Sequence, residues 1–366
     1  MGLTRAGAFF VYAVSRVLTW CFWKGPKPYP PSGAGKIVLE AGERGWSEPA
    51  PGLLELEQSA VEYLGPDSVV RFSVRGTRPY LSQVLDVLRQ ERPTHYFYDT
   101  RTGSQHPFWG SVQALVLAVL FAYYSVVPLT ILTNLPARRW RRQVAAVTAR
   151  RGLILILMSP AQVLGVLPHR RVLGPIFMPF SQQRLNQIRQ EIQRSPGAKV
   201  TPTLTFIGSV YEPRRSTLES LTTEFAESNI SFEIFARDPA GPKIDQTAYW
   251  TVLRESEFLL TTSDHIVKRG ADAGSPPHMV YRYTEALIAE CCLVAPDLGT
   301  ALIPLQHFVP FTDAPELRET LEELTKSPQR VERIRREGAN FMTDRIENQL
   351  WWREVDEALG PDRLLR

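Results

Sequence analysis

Residues 205–215 of the chain read TFIGSVYEPRR: an apolar strand-like run, a glycine, and two arginines just before a helix-like segment. Gly208 has no side chain, so it allows a ligand to approach the backbone closely. The helix predicted to start near Ser216 would turn its N-terminus and the adjacent Arg214 and Arg215 towards that ligand, which suits a diphosphate. An ordinary strand-to-helix turn with solvated arginines is the alternative interpretation.

Strand-like and helix-like segments alternate on both sides of this turn. Strands are predicted at 36–40, 69–74, 94–98, 129–134, 153–158, 203–207, 230–236, 257–260 and 293–295. Helices are predicted at 52–64, 81–90, 111–125, 137–150, 182–194, 216–228, 246–256, 280–289, 315–337 and 349–359. Alternation at this spacing predicts βαβ units and mostly parallel sheets, so the fold class is α/β.

Length and charge indicate two domains. The chain has 366 residues, with 44% hydrophobic and 22% charged residues, which excludes a disordered chain, a collagen-like fibre and a polytopic membrane protein. Residues 1–197 carry 23 Lys+Arg against 11 Asp+Glu, whereas residues 198–366 carry 19 against 27. We expect an apolar helix and Pro-rich tether at 1–34, α/β domains at 35–196 and 197–345, and a C-terminal helix at 346–366.

The N-terminal segment is apolar apart from Arg5, Arg16 and a few hydroxyl groups, and Trp20 and Trp23 precede Lys24. Aromatic and basic residues together are typical of a membrane interface. Four interpretations stay open: a signal peptide, a spanning anchor that would hold Arg16 in the bilayer, an interfacial helix, and a helix packed on the protein's own core.

A second informative stretch, residues 281–296, reads YRYTEALIAECCLVAP. A short amphipathic helix leads into a buried strand, and Glu285 lies in the first turns of that helix. A carboxylate accepts two hydrogen bonds from a vicinal diol, as a nucleotide ribose requires. Arg282, one turn earlier, would pair with Glu285 or with a phosphate, and a surface ion pair between the two is the alternative.

The run from Glu285 to Val294 resembles the Glu-Ala-Leu/Ile-x-Ala-Gly-Cys-x-Pro-Val stretch of glycosyltransferases with the GT-B fold, and the exostosin-like families are the most similar. Residues 249–260, YWTVLRESEFLL, resemble the family's helix-to-strand step. The resemblance implies two Rossmann-like domains that face each other across a cleft, with a nucleotide sugar bound by the C-terminal one. It also implies that Glu285 holds the donor ribose, and that Gly208 and Arg214 form a donor-phosphate turn.

The chain departs from the family pattern at four positions. Glu290 replaces a glycine, Leu293 a proline, and Ser209 the first phosphate-binding arginine, while Pro277 occupies the place of a second glutamate. The resemblance covers residues 200–310, and the N-terminal half matches in architecture alone. A degenerate, catalytically inactive domain therefore stays an alternative.

Further candidates lie in predicted loops at strand ends. The Gly/Pro-rich loop 261–279 contains Lys268 and Arg269, which would neutralise a leaving diphosphate in a transferase that has no bound metal. Glu43, Asp99 and His106 follow the first and third predicted strands, and each is a candidate base for an acceptor hydroxyl. A mobile solvated loop is the alternative for 261–279, and the alternative for Glu43, Asp99 and His106 is that none of them is the base.

We therefore expect a glycosyltransferase that moves a sugar from a nucleotide-sugar donor to a glycan or lipid-linked acceptor, without a cofactor or metal. The alternatives are an inactive nucleotide- or sugar-binding scaffold and a peripheral membrane adaptor. Residues 138–142, RRWRR, are the densest basic run, but no nucleic-acid reading motif accompanies them, so no nucleic-acid partner is expected. The expected location is the cytoplasmic face of a membrane, with peripheral contact or a single N-terminal anchor.

Overall fold

The computed structural model describes residues 2–25, 35–41, 51–76, 78–99, 107–132, 138–164, 167, 171–194, 202–210, 214–237, 246–262 and 279–365. The chain divides into two compact units. The first unit contains Met1–Ser181 and Gln349–Arg366, and the second contains Gln182–Asn348. Each unit is built around one parallel sheet.

Six parallel strands form the sheet of the first unit. The strands are β1 (Ile37–Ala41), β2 (Val69–Ser73), β3 (His95–Phe97), β4 (Val127–Leu132), β5 (Leu153–Ile156) and β6 (Val172–Leu173). The helices are α1 (Gly2–Phe22), α2 (Pro51–Leu64), α3 (Tyr80–Glu91), α4 (Pro107–Tyr123), α5 (Arg138–Val147), α6 (Pro160–Leu164) and, near the C-terminus, α13 (Leu350–Leu359). The strand order is β2-β1-β3-β4-β5-β6, so the order reverses between β1 and β3.

Two strands of this sheet, β1 and β5, are buried along their whole length, Ile37–Ala41 and Leu153–Ile156. Strands covered on both faces read as continuous apolar runs rather than alternating ones, which is why the segment LILI belongs to a parallel sheet. The run 114–135, which a hydropathy window alone would assign to a membrane, divides into the end of α4 and the strand β4.

α1 packs against α4 and α5. The Ser15 hydroxyl donates to the Ala146 carbonyl at 2.6 Å, and Arg150 donates to the Thr19 carbonyl at 2.9 Å. α1 is therefore an integral part of the first unit, as in the interpretation of a helix packed on the protein's own core, while residues 26–34 of the expected tether lie outside the described residues. Among the helices that the structure describes, none has the length and apolar character needed to cross a membrane.

Five parallel strands form the sheet of the second unit. The strands are β7 (Thr203–Ser209), β8 (Ser231–Arg237), β9 (Phe258–Leu260), β10 (Cys292–Ala295) and β11 (Val309–Pro310). The helices are α7 (Gln182–Arg194), α8 (Arg214–Phe225), α9 (Gln246–Glu255), α10 (Tyr281–Ile288), α11 (Ala314–Thr325) and α12 (Pro328–Glu347). The strand order is β11-β10-β9-β7-β8, which reverses between β7 and β9.

Two expected boundaries require correction. The division between the units lies at Ser181/Gln182 rather than at 196/197, because α7 packs on α9, α10 and α12 of the second unit. An ion pair of 3.0 Å between Arg189 and Glu347 joins α7 to α12. The single helical region predicted at 315–337 is two helices, since α12 starts anew with Pro328 in its first turn, where a proline costs no hydrogen bond.

The C-terminal segment returns to the first unit. The Trp351 indole donates to the Phe177 carbonyl at 2.7 Å, and the Trp352 indole donates to the Ser59 hydroxyl at 3.1 Å. Beyond α13, the buried carboxylate of Asp362 pairs with Arg151 and with Arg171. Residues 349–365, which contain the helix α13 within the C-terminal helix predicted at 346–366, are thus packed into the first unit.

Candidate functional site

The carboxyl ends of β7 and β9 meet where the strand order of the second sheet reverses. Gly208 is the penultimate residue of β7, and Thr261 and Thr262 directly follow β9. In open parallel sheets, ligands bind outside the carboxyl ends of the strands at such a reversal point, because the flanking connections leave in opposite directions and open a crevice. The topology therefore makes this edge of the second sheet a candidate ligand site.

Arg214 lies at this edge as the first residue of α8, which begins two residues earlier than predicted. Its Nε donates to the Thr262 hydroxyl at 3.2 Å, and its Nη2 lies 3.2 Å from the Thr262 carbonyl oxygen. The guanidinium also lies 5.6 Å from the centre of the Phe206 ring. These contacts hold the cation over the end of the sheet, whereas Arg215 is exposed.

Arg282 comes to the same edge from α10. A methyl group built on Gly208 would lie 3.2 Å from Arg282 Nη1 and 3.2 Å from the Phe206 ring. Gly208 also has a φ of 154°, a conformation that residues with side chains rarely adopt. The glycine therefore leaves room for the guanidinium beside the end of β7, so Arg214 and Arg282 flank the same strand end.

Glu285 lies one turn after Arg282, and Tyr249 of α9 connects the two. The Tyr249 hydroxyl donates to Glu285 Oε2 at 2.5 Å, and the Arg282 guanidinium lies 5.8 Å from the centre of the Tyr249 ring. Burial raises the pKa of Tyr249 well above its ordinary value, the charge of Glu285 adds to the rise, and Arg282 opposes it. The phenol is therefore protonated at neutral pH and holds one carboxylate oxygen in place.

Two buried hydroxyl groups close to these residues lack a hydrogen-bond partner among the described residues. They are Thr205 Oγ1 within β7 and Thr261 Oγ1 at the end of β9. A buried hydroxyl without a partner costs free energy that water or a ligand can recover. Thr261 lies directly at the strand end, next to the residue that holds Arg214.

The structure thus brings together four of the donor-site residues predicted from the sequence: Gly208, Arg214, Arg282 and Glu285. Arg215 lies next to them in sequence with its side chain in solvent. Lys268 and Arg269 lie outside the described residues. The sequence interpretation missed the roles of Thr262 and Tyr249. Tyr249 opens the 249–260 stretch quoted above, but its bond to Glu285 joins α9 to α10, two helices that both pack against α7.

Of the three candidate bases predicted in the first unit, only Asp99 lies among the described residues. Asp99 follows β3, while Glu43 and His106 lie outside the described residues. A residue that was not predicted, Glu40, occupies β1 with 1% of its surface exposed. Burial, followed by the charge of Glu40, raises the pKa of Tyr96 well above its ordinary value. Glu40 and Asp99 both lie near the reversal point of the first sheet.

Across the described residues, no group of three His, Cys, Asp or Glu side chains gathers in a way that would hold a metal ion. The chemistry that the described edge of the second unit offers is that of two arginines, one carboxylate, hydroxyl groups and the N-termini of α8 and α10. Guanidinium groups and helix N-termini bind phosphates, and a carboxylate accepts hydrogen bonds from sugar hydroxyls.

No protein-family model and no curated protein sequence matches the chain. Solved structures do match. One is trehalose-6-phosphate from E. coli bound with UDP-2-fluoro glucose, at 12% identity and a TM-score of 0.51, covering 89% of this chain and 99% of that one. UDP-GlcNAc 2-epimerase from Neisseria meningitidis, bound to UDP-GlcNAc, is 12% identical at a TM-score of 0.44, covering 86% and 100%. The calicheamicin glycosyltransferase CalG4 is 12% identical at 0.40, covering 89% and 99%.

At such low identity, the E. coli match at a TM-score of 0.51 establishes the fold and not the activity. Together with two all-parallel sheets in two units, it identifies the architecture as two Rossmann-like domains of the GT-B type. The α/β class with two Rossmann-like domains, which was expected from the sequence, is confirmed.

Proposed function

We propose that this chain is a glycosyltransferase that binds the diphosphate and ribose of a nucleotide-sugar donor at the carboxyl edge of its second sheet. The observation that carries the proposal is the convergence of Gly208, Arg214, Arg282 and Glu285 at the reversal point between β7 and β9. Two cations and an oriented carboxylate at one strand edge match the charge pattern of a nucleoside diphosphate.

Each group has a part in this proposal. Arg214, at the N-terminus of α8, binds the diphosphate, and Arg282 approaches it beside Gly208. Glu285, with one oxygen held by Tyr249, accepts hydrogen bonds from the ribose hydroxyls with the other. As the sugar leaves, charge develops on the diphosphate, and arginines that are already in place stabilise it without a metal ion. Lys268 and Arg269 would supply further positive charge to stabilise the leaving diphosphate.

The acceptor and its base belong to the first unit in this proposal, with Asp99, Glu43 or His106 as the base. The acceptor is a glycan or a lipid-linked molecule, and membership of the exostosin-like subfamily stays a prediction. A scaffold that binds the donor without turnover is the alternative, and the departures at Ser209 and Glu290 from the family pattern favour it.

Glu285→Gln tests the donor site. The variant keeps the size of the side chain but removes the charge that would bind the diol, so we expect its affinity for the nucleotide sugar to fall about 10- to 150-fold. The ligand is first chosen by thermal-shift screening of UDP- and GDP-sugars, and affinity is then measured by calorimetry.

Glu319→Gln is the matched control. Glu319 lies exposed on α11 of the same unit, so this variant makes the same change of charge away from the edge. If Glu285→Gln folds and binds the nucleotide sugar as tightly as the control does, the assignment of Glu285 is wrong. Binding without sugar transfer or donor hydrolysis would favour the scaffold.

A further inference from the structure

Exposed apolar side chains are concentrated on two packed helices of the first unit. The described part of the chain has fourteen exposed large hydrophobic residues, and ten of them belong to α1 or α4. They are Phe9, Phe10, Val17, Trp20, Phe22, Phe108, Trp109, Val112, Val116 and Tyr123. Soluble proteins rarely expose so many large apolar groups on neighbouring elements unless the surface has a partner. We call the outward sides of α1 and α4 the α1/α4 surface.

α1 has an apolar side turned away from the protein as well as one turned towards it. Val11 and Ser15 are buried, and Ser15 donates to the Ala146 carbonyl of α5. On the opposite side, Phe10 is 70% exposed, Val17 64% and Trp20 73%. An ordinary surface helix carries polar residues on the side that faces water. The exposed side of α1 is therefore suited to an apolar environment.

α4 has the same arrangement. Its inward residues, such as Leu117 and Phe121, belong to the core of the first unit, while Phe108 and Trp109 are each 61% exposed. α1 packs directly against α4. The ammonium of Lys24, just after α1, lies 3.6 Å from the centre of the Tyr123 ring at the end of α4, so the two exposed sides meet there.

Cations border the α1/α4 surface without carboxylate partners. Within the described residues, Arg16, Lys24 and Arg150 form no ion pair with an acid. Burial lowers the pKa of Arg150, and the charge of Arg16 lowers it further. The sequence has no Asp or Glu at all in residues 1–39 or in residues 100–190, the ranges that supply α1, α4 and α5.

We propose that the α1/α4 surface docks on an anionic membrane face. Its apolar side chains would enter the boundary between headgroups and acyl chains, with Trp20 at the depth typical of interfacial tryptophans, and the three cations would meet lipid phosphates. A second copy of the chain fits less well, because a symmetric contact would bring Arg16, Lys24 and Arg150 towards their own copies. Docking through the α1/α4 surface does not require a nucleotide sugar to be bound in the second unit.

The test is binding of the full chain, without nucleotide, to vesicles of phosphatidylcholine with about 30% phosphatidylserine. We expect the double variants Val17→Ser/Trp20→Ser on α1 and Val112→Ser/Val116→Ser on α4 each to lower vesicle affinity roughly tenfold or more. Binding of the unaltered chain should also weaken as salt rises from about 0.1 M to about 1 M, because screening shortens the reach of the cations.

The control is Leu54→Ser/Ile303→Ser, which changes exposed apolar residues outside the two helices. It should bind vesicles as the unaltered chain does. Hydrogen exchange of the unaltered chain should show vesicle-dependent protection of both α1 and α4, which tests the surface even if a variant folds poorly. The proposal is overturned if the unaltered chain does not bind vesicles, or if vesicles protect α1 alone. It is also overturned if the α1 and α4 variants lose self-association while their vesicle binding is unchanged.

Discussion

Arg214 and Arg215 are neighbours in sequence, but their surroundings differ. Arg214 contacts the hydroxyl and carbonyl groups of Thr262 and the ring of Phe206, whereas Arg215 is exposed. A guanidinium held in place loses less entropy when it binds a phosphate than one that moves freely in water. The two arginines should therefore contribute unequally to diphosphate binding.

We predict that Arg214→Gln weakens binding of the nucleoside diphosphate of the selected donor about 10- to 150-fold and leaves binding of the bare nucleoside nearly unchanged, because only the former has the charge that Arg214 would meet. Arg215→Gln is the matched comparison and should weaken binding of the nucleoside diphosphate much less. Calorimetry with both ligands on both variants measures this difference. Equal losses for the two ligands in Arg214→Gln would show that Arg214 acts through the fold and not through the diphosphate.

The positions of most strands and helices can be predicted from the local sequence pattern. The predicted strand 203–207 lies within β7, and the helix predicted at 182–194 coincides with α7. The structure departs from the prediction at 315–337: α11 ends at Thr325 and α12 starts at Pro328, although the polar residues read as one continuous helix. Propensity alone does not distinguish a long polar helix from two short ones.

The segment after α13 shows how an element that lies far away in sequence completes a unit. The Asp362 carboxylate is 5% exposed and pairs with Arg151 and Arg171, whose side chains are 20% and 26% exposed. The backbone carbonyl oxygen of Asp362 also accepts a hydrogen bond of 2.7 Å from His95 Nε2. Because three residues of the first unit converge on Asp362, the segment should be a requirement for that unit's stability.

We predict that Asp362→Asn lowers the free energy of unfolding of the first unit by about 3 kcal/mol, since it leaves two partly buried arginines without their carboxylate. Asp86→Asn is the control, because its pair with Arg78 is exposed and should cost less than about 1 kcal/mol. Urea titration of both variants measures the difference. Similar losses in the two variants would contradict a structural role for Asp362.

At the scale of the whole molecule, the charge asymmetry of the sequence follows the two structural units. The first unit carries 23 Lys+Arg against 14 Asp+Glu, a formal charge of +9, and the second carries 19 against 24, a formal charge of −5. Although the second unit has a net negative charge, Arg214 and Arg282 place two positive charges at the end of β7. Each unit also has its own core, so a single unfolding transition is not to be expected.

Acid should destabilise the first unit through His95. Burial, followed by the charges of Arg151 and Arg171, lowers the pKa of His95 to about 3. Below the ordinary pKa of about 6.5, the unfolded chain takes up a proton that the folded unit does not, so stability falls by up to about 1.4 kcal/mol per pH unit between pH 6.5 and about 3.

We therefore predict that His95→Gln, which cannot be protonated, flattens the pH dependence of the unfolding free energy of the first unit below pH 6.5. Calorimetric scans of the unaltered chain and the variant between pH 7 and pH 5 measure this slope. A variant with the slope of the unaltered chain would show that the folded unit admits a proton at His95. The comparison of slopes remains valid even if the variant is less stable at every pH.

The sequence by itself determined the α/β class, the order of nearly all strands and helices, and the identity of Gly208, Arg214, Arg282 and Glu285 as candidates. These features depend on local patterns: apolar runs, helix starts, and a glycine before arginines. Tertiary structure decided the pairing of β7 with β9, which places Thr262 against Arg214. It also decided the packing of α9 and α10 against α7, which brings Tyr249 to Glu285. It also decided which side of α1 is buried, because an amphipathic pattern gives no information about the neighbour that covers it. Contacts between residues far apart in sequence arise from the packing of whole elements, and no local pattern encodes them.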